Sequence, residues 1–160
     1  MKSYRLIIAA VLAGFPSASL LAQDNQPRLE PDRTVKFAER DTCSLYMDIY
    51  DPEPSMVVCP DGKERPTVIH VFGGGFKEGS REEPWLRPWF REMNSRGYRM
   101  ISIDYRLGLK GVLGVTQSEF NVLLDNAIRL AVEDLFAATA YLLENGSSMG
   151  IDARNIVVTG

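Results

Sequence analysis

Residues 67–72, Thr67-Val68-Ile69-His70-Val71-Phe72, form an almost unbroken apolar run that opens directly onto Gly73-Gly74-Gly75-Phe76. An apolar run without alternation reads as a strand covered on both faces, which is the situation of a strand inside a parallel sheet. Such a sheet needs helices on each side. The glycines add a second constraint. Glycine reaches backbone conformations closed to other residues and lets a ligand approach the main chain closely. The segment therefore predicts a layered α/β protein with an accessible backbone loop at the end of a buried strand.

The rest of the chain agrees with this layout. Residues 34–39 and 44–50 read as strands, and the second alternates Leu45, Met47 and Ile49 against Tyr46, Asp48 and Tyr50, the period of a half-buried strand. Asp51-Pro52-Glu53-Pro54 ends it, because proline cannot continue a central ladder. Residues 61–66 form a turn, 85–96 a helix closed by Gly97, and 98–105 a further strand. A glycine-containing loop over 107–115 leads to Thr116-Gln117-Ser118-Glu119, a capping box. Beyond it Leu123, Ala127, Ala131, Leu135, Ala138 and Leu142 share one helical face up to Asn145-Gly146. The final strand is 155–159, followed by Gly160. Strands alternating with helices imply a parallel α/β sheet.

The length, 160 residues, fits one domain, and the net charge of −3 without a basic stripe argues against nucleic acid as a partner. One histidine and two separated cysteines cannot build a zinc site, and no cofactor is expected. The N-terminus has the build of a signal peptide. Lys2 and Arg5 precede the apolar residues 6–15, and small residues lead to Ala22. Cleavage after Ala22 is expected, with Ser19 as the second option because Leu20 fits the Ala-x-Ala rule poorly. The apolar run is too short to span a membrane. This divides the chain into a signal peptide (1–22), a flexible leader (23–33) and a domain (34–160), with the product secreted or periplasmic. In an oxidising compartment Cys43 and Cys59 can pair, contributing about 3 kcal/mol in the chain-entropy model; the alternative is two unrelated small residues.

Four segments, in order, resemble secreted bacterial carboxylesterase/lipase-like proteins of the α/β-hydrolase superfamily. The strand with Gly73-Gly74-Gly75-Phe76 resembles their oxyanion loop. Ser102-Ile103-Asp104-Tyr105-Arg106-Leu107 resembles a strand end, and residues 131–142 resemble the helix before the nucleophile strand. Residues 150–160 resemble the approach to the Gly-x-Ser-x-Gly elbow. Phe72 departs from the pattern by standing where the motif usually has histidine.

The resemblance implies a three-layer α/β-hydrolase fold, of which this chain holds the N-terminal part of a mainly parallel sheet flanked by helices. The implied strand order is first, second, fourth, third, fifth. It further implies a serine hydrolase of carboxylic esters, with Gly74 and Gly75 N–H groups holding the oxyanion and Gly160 beginning the elbow. The triad follows the order Ser, Asp/Glu, His, so nucleophile, acid and histidine would all lie outside this chain, and His70 reads as a core or sheet-face residue. The 160 residues alone are then expected to be inactive. Residues 23–160 are expected to aggregate through an open edge, whereas the full-length protein would be a soluble monomer. Substrates would be small-molecule or glycan-linked esters. Short acyl esters, acetylated or feruloylated glycans and peptides all fit. Asp104, Arg106 and Asp134 read as structural, and Trp85, Trp89 and Phe90 as helix-to-sheet packing rather than an acyl-pocket wall.

Two other readings compete. Gly73, Gly75 and Gly79 form a loose glycine pattern and Val157-Val158-Thr159-Gly160 resembles a dehydrogenase strand, which suggests a nucleotide-binding Rossmann-like oxidoreductase. That fingerprint requires a helix opening on the glycines, and residues 77–88 are charged and carry two prolines. The third reading is a non-catalytic hydrolase-like binding module.

Overall fold

The computed structural model describes residues 29–52 and 65–160. The expected signal peptide, most of the expected leader and Cys59 lie outside the described residues. The described elements are β1 (Arg33–Glu39), β2 (Ser44–Tyr50), β3 (Thr67–Val71), α1 (Arg87–Ser95), β4 (Arg99–Ile103), α2 (Gln117–Asn145) and β5 (Ile156–Thr159). Short 3-10 turns precede α1 (Pro84–Leu86) and follow α2 (Gly146–Met149). The sheet runs β1-β2-β4-β3-β5, the strand order that the family resemblance implies. The β1–β2 and β2–β4 pairs are antiparallel, whereas β4–β3 and β3–β5 are parallel.

The two helices cover opposite faces, giving three layers. On one face Met47, Ile49, Ile69, Ile101 and Ile103 pack under Ala138 and Leu142 of α2. On the other Tyr50, Val68 and Met100 pack under Leu86 and Phe90. Full burial of side chains this size stabilises by about 1.5–3 kcal/mol each. The β2 strand is covered on both faces rather than one: Asp48 and Tyr50 are buried together with Met47 and Ile49. Alternation in β2 misleads because Tyr50 lies against the Phe90 ring, 5.2 Å between centroids, and Asp48 is ion-paired rather than solvated. The last residues of the leader are also tied down. Leu29 packs on the α1-side cluster, and the Asp32 N–H donates to the Ile49 carbonyl at 2.9 Å.

The long helix starts at the capping box: Thr116 Oγ1 accepts from the Glu119 N–H, and Glu119 accepts from the Thr116 N–H at 2.8 Å. Its buried stripe holds Ala127, Ala138 and Leu142, and also Asp134, which is fully buried. That carboxylate accepts from Arg40 Nε at 3.0 Å and from Arg106 Nε at 2.8 Å, and it also takes the Arg106 backbone N–H at 2.9 Å. The β1–β2 turn, the end of β4 and the middle of α2 thus meet at one carboxylate.

Removing one partner of a buried ion pair leaves the others uncompensated. The two arginines keep some access to water, with side chains 29% and 20% exposed, so they recover part of their solvation. D134A is expected to lower unfolding free energy by roughly 3 kcal/mol in urea titration; a loss under about 1 kcal/mol would show the cluster to be a surface-type pair.

Candidate active site

The glycine loop leaves β3 at the sheet's edge and is fixed by backbone geometry. Phe72 is buried, its ring stacked on Tyr105 with 4.3 Å between centroids, and the Tyr105 hydroxyl donates to the Phe72 carbonyl at 2.9 Å. The residue in the motif's histidine position is therefore a core anchor for the loop. Gly74 adopts φ +126°, and a Cβ there would sit 2.0 Å from the Glu78 carbonyl oxygen; no side chain fits. The Lys77 and Glu78 N–H groups both turn back to the Gly74 carbonyl, at 3.1 and 3.4 Å. Phe76, at φ +61°, is a non-glycine residue in the left-handed region, held there in part by the Leu109 N–H donating to its carbonyl at 2.9 Å. Such conformations cost of order 1–3 kcal/mol and persist where the surroundings enforce them. Among the described residues no acceptor takes the N–H of Gly74 or Gly75.

Gly160 sits beside this loop. A Cβ on it would lie 2.8 Å from the Val71 carbonyl oxygen, so the residue after β5 closes tightly on the last residue of β3. A cavity of about 360 Å³ adjoins the loop, lined by Gly73, Gly74, Glu78, Gly79, Glu83 and Trp85. Trp85 is 68% exposed, its indole N–H donating to Glu83 at 3.1 Å. The expectation of helix-to-sheet packing fails for this aromatic, because it lies in the 3-10 turn before α1 and falls off the helical stripe. It holds for Phe90, which is buried, and for the partly buried Trp89 packed beside it.

The charged residues at the strand ends serve the scaffold, as expected. Asp104 accepts from the Tyr46 N–H at 3.0 Å and from Arg81 Nη1 at 2.9 Å. Arg106 grips Asp134 and reaches Glu133 at 3.1 Å. The sequence does not single out Arg40 or Arg81, since their partners lie far along the chain. Cys43 is exposed and free, and its proposed partner Cys59 lies outside the described residues. Among the described residues no three His, Cys, Asp or Glu side chains converge as a metal site, and no helix is long and apolar enough to cross a membrane. The glycines 73–79 do not open a helix: a loop and the Pro84–Leu86 turn intervene before α1, so the geometry a dinucleotide fingerprint requires is missing.

His70 is buried on the α1 face of β3, edge-on to the Trp89 and Phe90 rings at 5.5 and 5.8 Å. Neither ring nitrogen has a hydrogen-bond partner among the described residues. Burial depresses its pKa from 6.5 to about 4. As pH falls, an unfolded chain protonates this histidine near 6.5 while the folded protein holds it neutral down to about 4. The unfolded state binds more protons across that window, so His70 lowers stability progressively there, by roughly 3 kcal/mol in total. Comparing unfolding free energies of wild type and H70Q is expected to show the gap shifting in favour of wild type, by about that amount, from pH 4 to 7. A gap that does not change with pH would contradict this placement.

Comparison with known proteins places this geometry in a family. Residues 47–160 match the BD-FAE family. Among curated relatives, the non-reducing polyketide synthase mapC' of Penicillium brevicompactum is 34% identical over 102 residues, covering 63% of this chain and 4% of the synthase. Esterase LipI of Mycobacterium tuberculosis is 28% identical over 108 residues, covering 64% of this chain and 27% of LipI. Among solved structures, the propionate-bound thermophilic esterase Est2 of the Planctomycetes species Thermogutta terrifontis superposes with a TM-score of 0.57 at 22% identity. That match covers 80% of this chain and 40% of Est2. The chain thus spans less than half the length of each of these three proteins. By its matched residues and its sheet order, the chain belongs to the BD-FAE family and has an esterase-like α/β-hydrolase fold.

Proposed function

We propose that the complete gene product is a serine hydrolase of carboxylic esters, exported by a signal peptide cleaved after Ala22, and that this chain supplies its oxyanion loop. The observation that carries the reading is the meeting of the glycine loop with Gly160 at one edge of the sheet. Two uncommitted N–H groups, on Gly74 and Gly75, lie just beyond the β3 terminus that Gly160 abuts. Hydrolysis of an ester passes through a tetrahedral intermediate whose oxygen carries negative charge. Backbone donors fixed before the reaction stabilise that charge without reorganising. The positive φ values of Gly74 and Gly75 and the turn closed on the Gly74 carbonyl support such fixing.

In this reading a serine follows Gly160 within Gly-x-Ser-x-Gly and attacks the acyl carbon. A histidine later in the chain takes the serine proton and returns it to the leaving alcohol. His70 has no part in this, because it is buried among aromatics and held neutral. Substrates are small-molecule or glycan-linked esters, bound along the cavity beside Trp85; the protein acts as a monomer and needs no cofactor. In this reading residues 1–160 by themselves hydrolyse nothing, since the elbow serine and the triad histidine lie outside them and His70 is not a usable base.

Kinetics on the complete gene product with a p-nitrophenyl ester test the reading. The wild type is expected to turn over and to be labelled by a fluorophosphonate, and G74A to lose on the order of 10²–10³ in kcat. G75A meets open space but at φ +62°, and is expected to lose less, because its cost is the roughly 1–2 kcal/mol left-handed penalty. A wild type that neither turns over nor labels, or a G74A variant with unchanged kcat, would sink the assignment.

A further inference from the structure

Arg81 lies just past the glycine loop and points back into the protein. Its side chain is 17% exposed, unusual for an arginine on a polar loop. Its Nε lies 3.1 Å from Asp48 Oδ2 on β2, its Nη1 donates to Asp104 Oδ2 after β4 at 2.9 Å, and its Nη2 donates to Glu82 at 2.7 Å. The guanidinium also lies over the Tyr46 ring, 5.5 Å from its centroid. Both sheet carboxylates are committed elsewhere too: Asp48 Oδ1 accepts from Thr34 Oγ1 at 2.6 Å, and Asp104 accepts from the Tyr46 N–H. Among the described residues Arg81 is the cation that Asp48 and Asp104 share. Burial weighs against the guanidinium's charge, yet Asp104 and Asp48 outweigh it and raise the pKa above the ordinary arginine value.

The loop it follows turns on its own Gly74 carbonyl and meets the rest of the protein at few points: the Phe76 ring lies edge-on to Tyr105 at 6.2 Å, and Lys77 Nζ sits 5.5 Å from the Phe120 ring centroid. Gly73, Gly74, Gly75, Lys77 and Glu78 are exposed and bring no apolar surface to the core. One end hangs from β3, the middle from the Phe76 carbonyl on Leu109. The return end is fixed where Arg81 meets β2 and the end of β4. One guanidinium meets carboxylates from two elements at once: Nη1 donates to Asp104, while Nε faces Asp48 at ion-pair distance without hydrogen-bond geometry; a lysine ammonium is a compact point charge and presents no such planar fork.

We propose that Arg81 is the positioning residue of this loop: it clamps the return end to the sheet and thereby sets where the Gly74 and Gly75 N–H groups point. The clamp stands on its own contacts, whereas its effect on rate rests on the esterase reading above. Since the two carboxylates neutralise the guanidinium locally, the effect is one of geometry rather than long-range charge. Misplacing catalytic donors by about 1 Å costs about 10²-fold in rate.

The test uses the complete gene product as wild type, R81K, R81M and E82Q, with ester kinetics and amide hydrogen exchange read by mass spectrometry. R81M is expected to lose about 10–100-fold in kcat with KM within about twofold. R81K is expected to lose activity as well, although it keeps the charge. E82Q, whose carboxylate is 56% exposed, is expected to behave as wild type. Exchange at the Lys77 and Glu78 amides, which the Gly74 carbonyl holds, should quicken about tenfold or more in both Arg81 variants, while β3 and β4 amides stay as slow as in wild type. Unchanged kcat in R81M overturns the proposal, as does full activity in R81K. Protection lost equally across β3 and β4 overturns it too, since that marks a fold-wide role. If wild type hydrolyses no ester yet the loop alone loosens in R81M, the clamp is upheld and the esterase reading is the part that fails.

Discussion

Three parallel strands, β4, β3 and β5, lie side by side with β3 in the middle, and every loop leaving them emerges at the same edge of the sheet. This pairing is what the rest of the structure depends on. It brings the glycine loop after β3, Asp104 to Arg106 after β4 and Gly160 after β5 together, although they are distant in sequence. The pairing is held because Ile69, Ile101 and Met100 are fully buried between α1 and α2. In open α/β sheets ligands bind outside the carboxyl ends of the strands, and the candidate site occupies that position.

The same edge concentrates buried charge. Asp48, Asp104 and Asp134 are bound by Arg40, Arg81 and Arg106 in two clusters. Hydrophobic residues of similar volume would often be as stable in such places, so stability alone does not account for them. Directionality does. Each guanidinium joins elements that apolar contacts leave loose: Arg106 and Arg40 fix α2 to the strand ends, and Arg81 fixes the return of the glycine loop. A backbone turn with little apolar cover is thus held by ion pairs beneath it.

Much of the scaffold is legible in the chain. The uninterrupted apolar run of β3, the capping box at Thr116 and the Ala127–Leu142 stripe each carry a local signal, and local signals survive folding. The glycine run is legible for the same reason: the atom that leaves no room for a side chain at Gly74 is the Glu78 carbonyl oxygen, only four residues on. What escapes is set by distant partners. Asp48 looks solvated in the alternation of β2 until Arg81, 33 residues on, covers it. Arg40 finds Asp134 across 94 residues. Trp85 looks like a member of the α1 stripe, but the Pro84–Leu86 turn rotates it outward.

In the proposed reaction the Gly74 and Gly75 N–H groups face the charge developing on an ester carbonyl. The most direct measurement is a crystal structure of the complete gene product after reaction with a phosphonylating agent, whose tetrahedral phosphorus mimics the intermediate. The phosphonyl oxygen is expected about 2.7–3.1 Å from both glycine nitrogens, with Gly74, Gly75 and Phe76 keeping their positive φ. A phosphonyl oxygen turned away from the glycine loop, or held by side chains alone, would contradict it.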